Sequence, residues 1–453
     1  MKIRFLGATG TVTGSRYLVS GSDGQILIDC GLFQGLKALR LKNRDPFPVA
    51  IADIDAIFLT HAHIDHSGYL PRLYAEGYRG PIYCSAATAD LCRILLPDAA
   101  KLLEEEAYIA NKHGYSKHHP ALPLYTSDDA HDVLRLLRPV ELEQTVQAVG
   151  LKLEFRRAGH ILGATMIRVQ APDVSVIFSG DLGRSNDELI LAPAPLPDSD
   201  YVVIESTYGN RRHIDQHPRV EMLSAIQSII KDKSTLLIPA FAVGRAQEII
   251  YHIARLKSDH RIPEIPVYLD SPMATSVTDL YHRYPKEHRL SADTFRLISN
   301  GVRYVQSVDE SKQLDAESGP RIIISASGMA TGGRVLHHIK ALAANPRNII
   351  LFAGYQAAGT RGATLVSGIK EIKIHGQYIR VEAQVLKLDS LSAHADSEEL
   401  LAWLKTAPRL PQKVFVTHGE PEAADSLRRM IQDRVGCQAM VPELGQEVEL
   451  KAQ

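Results

Sequence analysis

Short apolar or alternating runs, broken by glycine turns, fill most of the first two hundred positions of the chain. Residues 2–6, 16–19 and 25–29 read as strands, and the Gly-Ser-Asp-Gly stretch at 21–24 marks a hairpin between the last two. Residues 54–60 predict a further strand that runs straight into a histidine cluster. More strands are predicted at 151–156, 165–170, 174–179 and 201–205, bounded by Gly159, Gly163 and Pro172. Between the two groups, residues 86–112 predict a charged helix, followed by a loop at 113–125 rich in histidine and proline.

The rhythm changes after Tyr208. Helical spacing at 218–231 sets Leu223, Ile226 and Ile230 on one face and leads into a buried-type strand at 235–240. A helix at 245–257, a strand at 266–270, a helix at 276–284, a strand at 321–326, a helix at 333–344 and a strand at 348–353 follow. Strands alternating with helices imply βαβ crossovers and a parallel, doubly wound sheet. Residues 370–385 return to strand character, and 397–406 and 422–433 predict closing helices. The pattern predicts an α/β protein: an antiparallel-rich domain interrupted by a parallel α/β insertion.

Length and composition narrow this picture. A chain of 453 residues has room for two or three domains, and 45% hydrophobic with 23% charged residues is an ordinary globular profile. The net charge of −1 excludes a global basic field, so a polyanionic partner must be held by local patches or metal ions. Four cysteines (Cys30, Cys84, Cys92, Cys437) without CxxC spacing exclude a disulfide scaffold and suit a reducing cytosol. No apolar run approaches ~18 residues, so no membrane partner and a cytoplasmic location are expected. The 19 histidines are the unusual figure.

Several of them are clustered. His61-Ala62-His63-Ile64-Asp65-His66 packs four metal-ligating groups into six residues after an apolar strand. So many polar side chains could not be buried together without a cation to satisfy them. Gly159-His160-Ile161-Leu162-Gly163, Ser179-Gly180-Asp181 and Thr417-His418-Gly419 each set one more such group after a strand. Each is weak alone. Jointly they complete the seven or so ligands of a two-metal site.

Asp29, His61-x-His63-x-Asp65-His66, His160, Asp181 and a late histidine resemble the five motifs of the metallo-β-lactamase fold. The resemblance implies an αβ/βα sandwich with zinc at its edge. It implies one zinc on His61, His63 and His160, another on Asp65, His66 and His418, Asp181 bridging them and Asp29 supporting the ligands from behind. The 237-position separation of Asp181 and His418 holds the α/β insertion, which resembles the β-CASP domain of nucleic-acid-processing members. Ile204-Glu205-Ser206-Thr207-Tyr208-Gly209 resembles that group's motif A, Ser392-Ala393-His394-Ala395-Asp396 its motif B and Thr417-His418-Gly419-Glu420 its motif C. A histidine at motif C is the pattern of RNA-directed members. The expected boundaries are 1–208 and 369–453 for the metallo-β-lactamase domain and 209–368 for the β-CASP domain. The chain is most similar to bacterial and archaeal relatives of the eukaryotic endonuclease that cleaves pre-mRNA before polyadenylation.

The resemblance implies a zinc-dependent ribonuclease with two zinc ions per chain, cutting RNA mainly at internal phosphodiester bonds with a zinc-bound hydroxide as nucleophile. Asp65, His394 and Glu205 are its expected catalytic residues, His394 stabilising the phosphate charge or protonating the leaving oxygen. Single-stranded RNA is the expected partner. Phosphate contacts are expected from Arg211, Arg212, Gly244, Arg245, Ser327 and Gly328, and base stacking from Tyr355. A 5′-3′ exoribonuclease, a small-molecule ester or thioester hydrolase and a non-catalytic RNA-processing scaffold are the alternatives; a scaffold would usually have lost ligands, and none is missing. A homo-oligomer stays open. His118-His119 reads as a loop tip rather than a third metal site.

Overall fold

A computed structural model describes residues 1–452 apart from Tyr115, Lys117, 214–216 and Asp389. Two of these, Tyr115 and Lys117, fall in the expected 113–125 loop, which therefore lies partly outside the described residues. The chain divides into two compact units, Met1–Arg212 with His394–Gln453, and His213–Ala393.

The first unit holds two seven-stranded sheets. One runs in the order Glu447–Glu449, Lys2–Phe5, Tyr17–Ser20, Gln25–Ile28, Ile54–Phe58, Ile82–Ser85, Leu137–Val140. The other runs Gln438–Met440, Lys413–Val416, Tyr201–Ile204, Ser175–Phe178, Thr165–Gln170, Leu151–Arg157, Thr145–Ala148. Their inner faces share one core: Phe5 lies 5.4 Å from Phe415, Tyr17 5.5 Å from Phe178 and Phe58 6.1 Å from Phe155 between ring centres. Helix Ala86–His113 packs on the first sheet and helix Pro421–Arg434 on the second, giving the expected αβ/βα layering. The long helix starts where the Ser85 side chain accepts from the Thr88 N–H and stops at Gly114 in the left-handed region.

The expectation of an antiparallel-rich domain is corrected here. Half of the pairings in each sheet are parallel, among them Gln25–Ile28 with Ile54–Phe58 and Ser175–Phe178 with Tyr201–Ile204. The reason lies in strands of only four residues, such as Ile82–Ser85 and Leu137–Val140, which carry too little pattern to be read.

The second unit is built on six parallel strands in the order Arg303–Tyr304, Val267–Asp270, Arg321–Ser325, Thr235–Pro239, Ile349–Ala353, Gln384–Leu388. Successive residues of its central strands enter opposite cores: Leu236 and Ile238 one, Leu237 the other; Ile322 and Ile324 one, Ile323 the other. Helices therefore cover both faces, and the sheet is doubly wound. The expected boundary at 368 moves to 393. Gln384–Leu388 pairs with Ile349–Ala353, and the hairpin Glu371–Ile374 and Gln377–Arg380 buries Ile372 and Ile374 in this unit's core. The helix expected at 276–284 begins earlier, at Pro272, because Ser271 caps it and proline suits the first turn. Among the described residues no helix is long and apolar enough to cross a membrane, and all four cysteines are free and buried.

Candidate metal centre

Every candidate ligand follows a strand of the first unit. Ile54–Phe58 delivers His61 and His63, and a single helical turn, Ile64–Ser67, then turns Asp65 and His66 inward. His160 follows Leu151–Arg157, Asp181 follows Ser175–Phe178 and His418 follows Lys413–Val416. His418 and Asp29 both sit in the left-handed region, at φ +49 and +58, so each chain segment turns sharply as it leaves its strand.

The donor atoms form two sets. His63 Nδ1 lies 3.2 Å from both His61 Nε2 and His160 Nε2, and Asp181 Oδ2 lies 3.4 and 3.5 Å from those same two nitrogens. In the second set His418 Nε2 is 3.3 Å from His66 Nε2 and 3.2 Å from Asp65 Oδ2, and Asp181 Oδ1 is 3.3 Å from His66 Nε2. Ligands about 2.0–2.2 Å from a tetrahedral zinc stand about 3.3–3.6 Å from one another. The spacing fits a cation in each set. Asp181 Oδ1 is buried without a hydrogen-bond donor, so its lone pairs also call for one.

The far side of three of the imidazoles, those of His61, His66 and His418, is fixed by hydrogen bonding. His66 Nδ1 donates to Asp29 Oδ2 at 2.7 Å, and Asp29 also accepts from the Thr60 N–H at 2.7 Å and the Thr60 hydroxyl. His61 Nδ1 lies 3.1 Å from Thr60 Oγ1 and His418 Nδ1 3.2 Å from Thr207 Oγ1. Donation from Nδ1 leaves Nε2 as the lone pair facing the centre. Burial lowers the His61 imidazole to about 3 and the His63 imidazole to about 4, and pushes His160 well below its usual range. These three stay neutral at pH 7, the form that ligates metal. Burial opposes charge on His66 too, but Asp181 and Asp29 outweigh it and raise that ring well above its usual range. Burial would raise the Asp181 carboxyl, yet His418, His66 and His61 hold it well below the carboxylate range.

His394 stands apart from both sets. Its Nδ1 lies 3.1 and 3.2 Å from the two oxygens of Glu205 and 4.0 Å from Asp181 Oδ2, and its ring centre is 4.4 Å from that of His160. Glu205 is buried and anchored by the N–H groups of Leu182 and Thr207. Burial acts against charge on His394, but Glu205 outweighs it and raises the imidazole to about 9.

Thus Asp29, Glu205, His394 and the seven expected ligands are gathered in one unit. Thr60 and Thr207 were not anticipated; their signal was position, next to His61 and inside the Glu205 motif. Arg211 and Arg212 are exposed on the same unit, Arg212 pairing with Glu398 at 2.7 Å. The other expected substrate contacts lie on the second unit. Gly244 precedes helix Arg245–Ser258, and the Arg245 side chain is buried against Glu248 rather than facing solvent. Gly328 packs on Phe241, Ser327 Oγ bonds Thr331 Oγ1 at 3.0 Å, and Tyr355 is half-buried.

An αβ/βα sandwich carrying two such donor sets at its strand ends defines a metal-dependent hydrolase. Sequence comparison agrees. The family model for the metallo-beta-lactamase superfamily matches residues 9–240, that for the Beta-Casp domain residues 246–365, and that for the Zn-dependent metallo-hydrolase RNA specificity domain residues 378–442. The chain belongs to the metallo-β-lactamase superfamily, in its β-CASP group. It is similar to ribonuclease TTHA0252 of Thermus thermophilus, 36% identical over 99% of this chain and 98% of that protein. It is also 31% identical to the transcription termination factor FttA of Methanosarcina mazei, covering 94% of this chain and 68% of that one. A crystal structure of a protein of unknown function from Enterococcus faecalis shares the fold, with a TM-score of 0.52 at 15% identity over 99% of both chains.

Proposed function

We propose that this protein is a zinc-dependent ribonuclease with two zinc ions per chain, cutting single-stranded RNA mainly at internal phosphodiester bonds. The observation that carries the reading is the pair His394–Glu205, set beside two complete donor sets without joining either. The likeness to a named ribonuclease over nearly the whole of both chains supports the substrate class.

His61, His63 and His160 would hold one ion and Asp65, His66 and His418 the other, with Asp181 offering one oxygen to each. When bound, the ions supply Lewis acidity that activates water near neutral pH and offsets charge at phosphorus. Asp29 keeps the His66 tautomer. Glu205 accepts the His394 Nδ1–H, which orients the ring and leaves its Nε2–H to stabilise phosphate charge or protonate the leaving oxygen, a role contributing typically 10²–10⁴-fold. Arg211, Arg212, Gly244, Ser327 and Gly328 are proposed phosphate contacts and Tyr355 a stacking partner; burial of Arg245 restricts it to a part made through its backbone.

The test uses end-labelled and internally labelled single-stranded RNA, with matched DNA as control, on protein assayed for metal. Internal cuts abolished by chelator and about two zinc per chain are expected. Equal cutting of DNA, or activity confined to small esters, refutes the substrate assignment; one zinc or none in active protein refutes the two-metal reading.

A further inference from the structure

Arg16 immediately precedes the strand Tyr17–Ser20 and has only 3% of its surface exposed. Among the described residues no carboxylate forms an ion pair with it. Three aromatic rings surround it instead: the guanidinium carbon lies 4.0 Å from the Tyr69 ring centre, 5.1 Å from Phe33 and 5.6 Å from Phe47. Burying a guanidinium with no counter-ion in contact, Glu76 attracting it only from further off, costs stability, and an apolar side chain of similar volume would fill the space at less cost. Stability alone does not account for an arginine here.

Its hydrogen bonds do. Arg16 Nε donates to the Gly31 carbonyl at 2.8 Å, and Nη2 lies 3.4 Å from Asn43 Oδ1. Asn43 in turn bonds both the N–H and the carbonyl of Phe33. The segment gripped in this way is the template on which the ligand turn lies. The Cys30 N–H donates to the His66 carbonyl at 2.7 Å, the Leu32 N–H to the Ile64 carbonyl at 2.9 Å and the Ser15 N–H to the Asp65 carbonyl at 2.8 Å. Gly31 presses so closely on this turn that a Cβ there would stand 1.6 Å from the Asp65 carbonyl oxygen.

We infer that Arg16 is a positioning residue for the Asp65–His66 half of the metal centre: its guanidinium, held by an aromatic cage, fixes residues 30–32 and through them both ligands. This rests on the two-metal reading above. The His61, His63 and His160 half receives no such support from Arg16.

Zinc affinity measured by competition with a chelator, alongside thermal unfolding of metal-free protein, tests it without reference to activity. Wild type should bind two zinc ions. Arg16→Met should unfold within a few degrees of wild type but hold one of the two ions about 10–100-fold more weakly, the loss typical of removing an outer support. Adding His160→Ala to Arg16→Met should leave no tight site. A folded Arg16→Met that binds both ions as wild type does overturns the inference. Should Arg16→Met not fold, Arg16→Lys decides. Lysine keeps the charge over Tyr69 but lacks the planar fork that reaches Gly31 and Asn43 together, so weakened binding of one ion supports the role and wild-type binding of both overturns it. Wild type binding fewer than two ions would instead strike the reading of the centre itself, a distinct result.

Discussion

His394 and His418 lie with ring centres 6.3 Å apart, yet they face different partners. His418 Nε2 points at Asp65 and His66, whereas His394 Nδ1 is taken up by Glu205. His394→Ala should therefore keep both zinc ions and the fold while RNA cleavage falls roughly 10²–10⁴-fold. His418→Ala should lose metal. Zinc content and turnover measured side by side check this, and loss of metal from His394→Ala alone would reverse the two roles. Asp29→Asn should also weaken zinc binding about 10–100-fold, because its amide cannot both accept from Thr60 and hold the same His66 tautomer. At this scale the clustering was legible: the candidate ligands His61, His63, Asp65 and His66, singled out by their spacing, fall into groups whose donor atoms converge. Thr60, Thr207 and Arg16 were not legible, since a hydroxyl or guanidinium gains its meaning only from what folds against it.

Between elements of the second unit, a buried charge cluster ties strand Val267–Asp270 to helices Val308–Ala316 and Val335–Leu342. His338 Nε2 lies 2.7 Å from Asp270 Oδ2 and its Nδ1 2.7 Å from Asp315 Oδ1, with Arg334 and Ser311 also on Asp270. Burial opposes charge on His338, but its hydrogen bonds to Asp270 and Asp315 outweigh it and raise the ring to about 9. An unfolded histidine titrates near 6.5, so this contribution is complete below about pH 6.5 and is lost as pH rises through about 9. Thermal unfolding of wild type should decline across that window, and His338→Gln should lose that part of the decline; parallel pH profiles would contradict the assignment. The Asp270 carboxyl, which burial would raise, is lowered by His338, Ser311 and Arg334, and its share disappears on the acid side instead. Elements with long patterns, such as Pro218–Asp232 and Thr235–Pro239, were read from sequence nearly as they stand. Ala292–Asn300 and Val308–Ala316 were missed, short helices whose apolar positions are few.

For the whole molecule, a net charge of −1 supplies no global basic field, so on the proposed reading local phosphate contacts would hold the RNA and binding should weaken steeply with salt. Affinity of the His394→Ala protein for single-stranded RNA should fall with a log–log slope of about −0.7 per phosphate contacted; a flat profile would argue for recognition by bases alone. The sandwich and the insertion were both legible because one alternates short strands and the other alternates strands with helices. The far boundary was not, since a strand that adds to one sheet looks in sequence like a strand that adds to any other. The strand Lys413–Val416 enters the second sheet beside Tyr201–Ile204, and Glu447–Glu449 closes on Lys2–Phe5. Six of the seven proposed ligands are translated by residue 181, but the seventh waits another 237 residues. At about 5–20 residues per second that interval is roughly 12–50 s. Throughout it, on the two-metal reading, the donor set of Asp65 and His66 lacks its third residue while the growing chain hangs from a ribosome, surrounded by RNA. The order of the proposed ligands along the chain would thus act as a clock that keeps the paired centre incomplete until the whole insertion has been made.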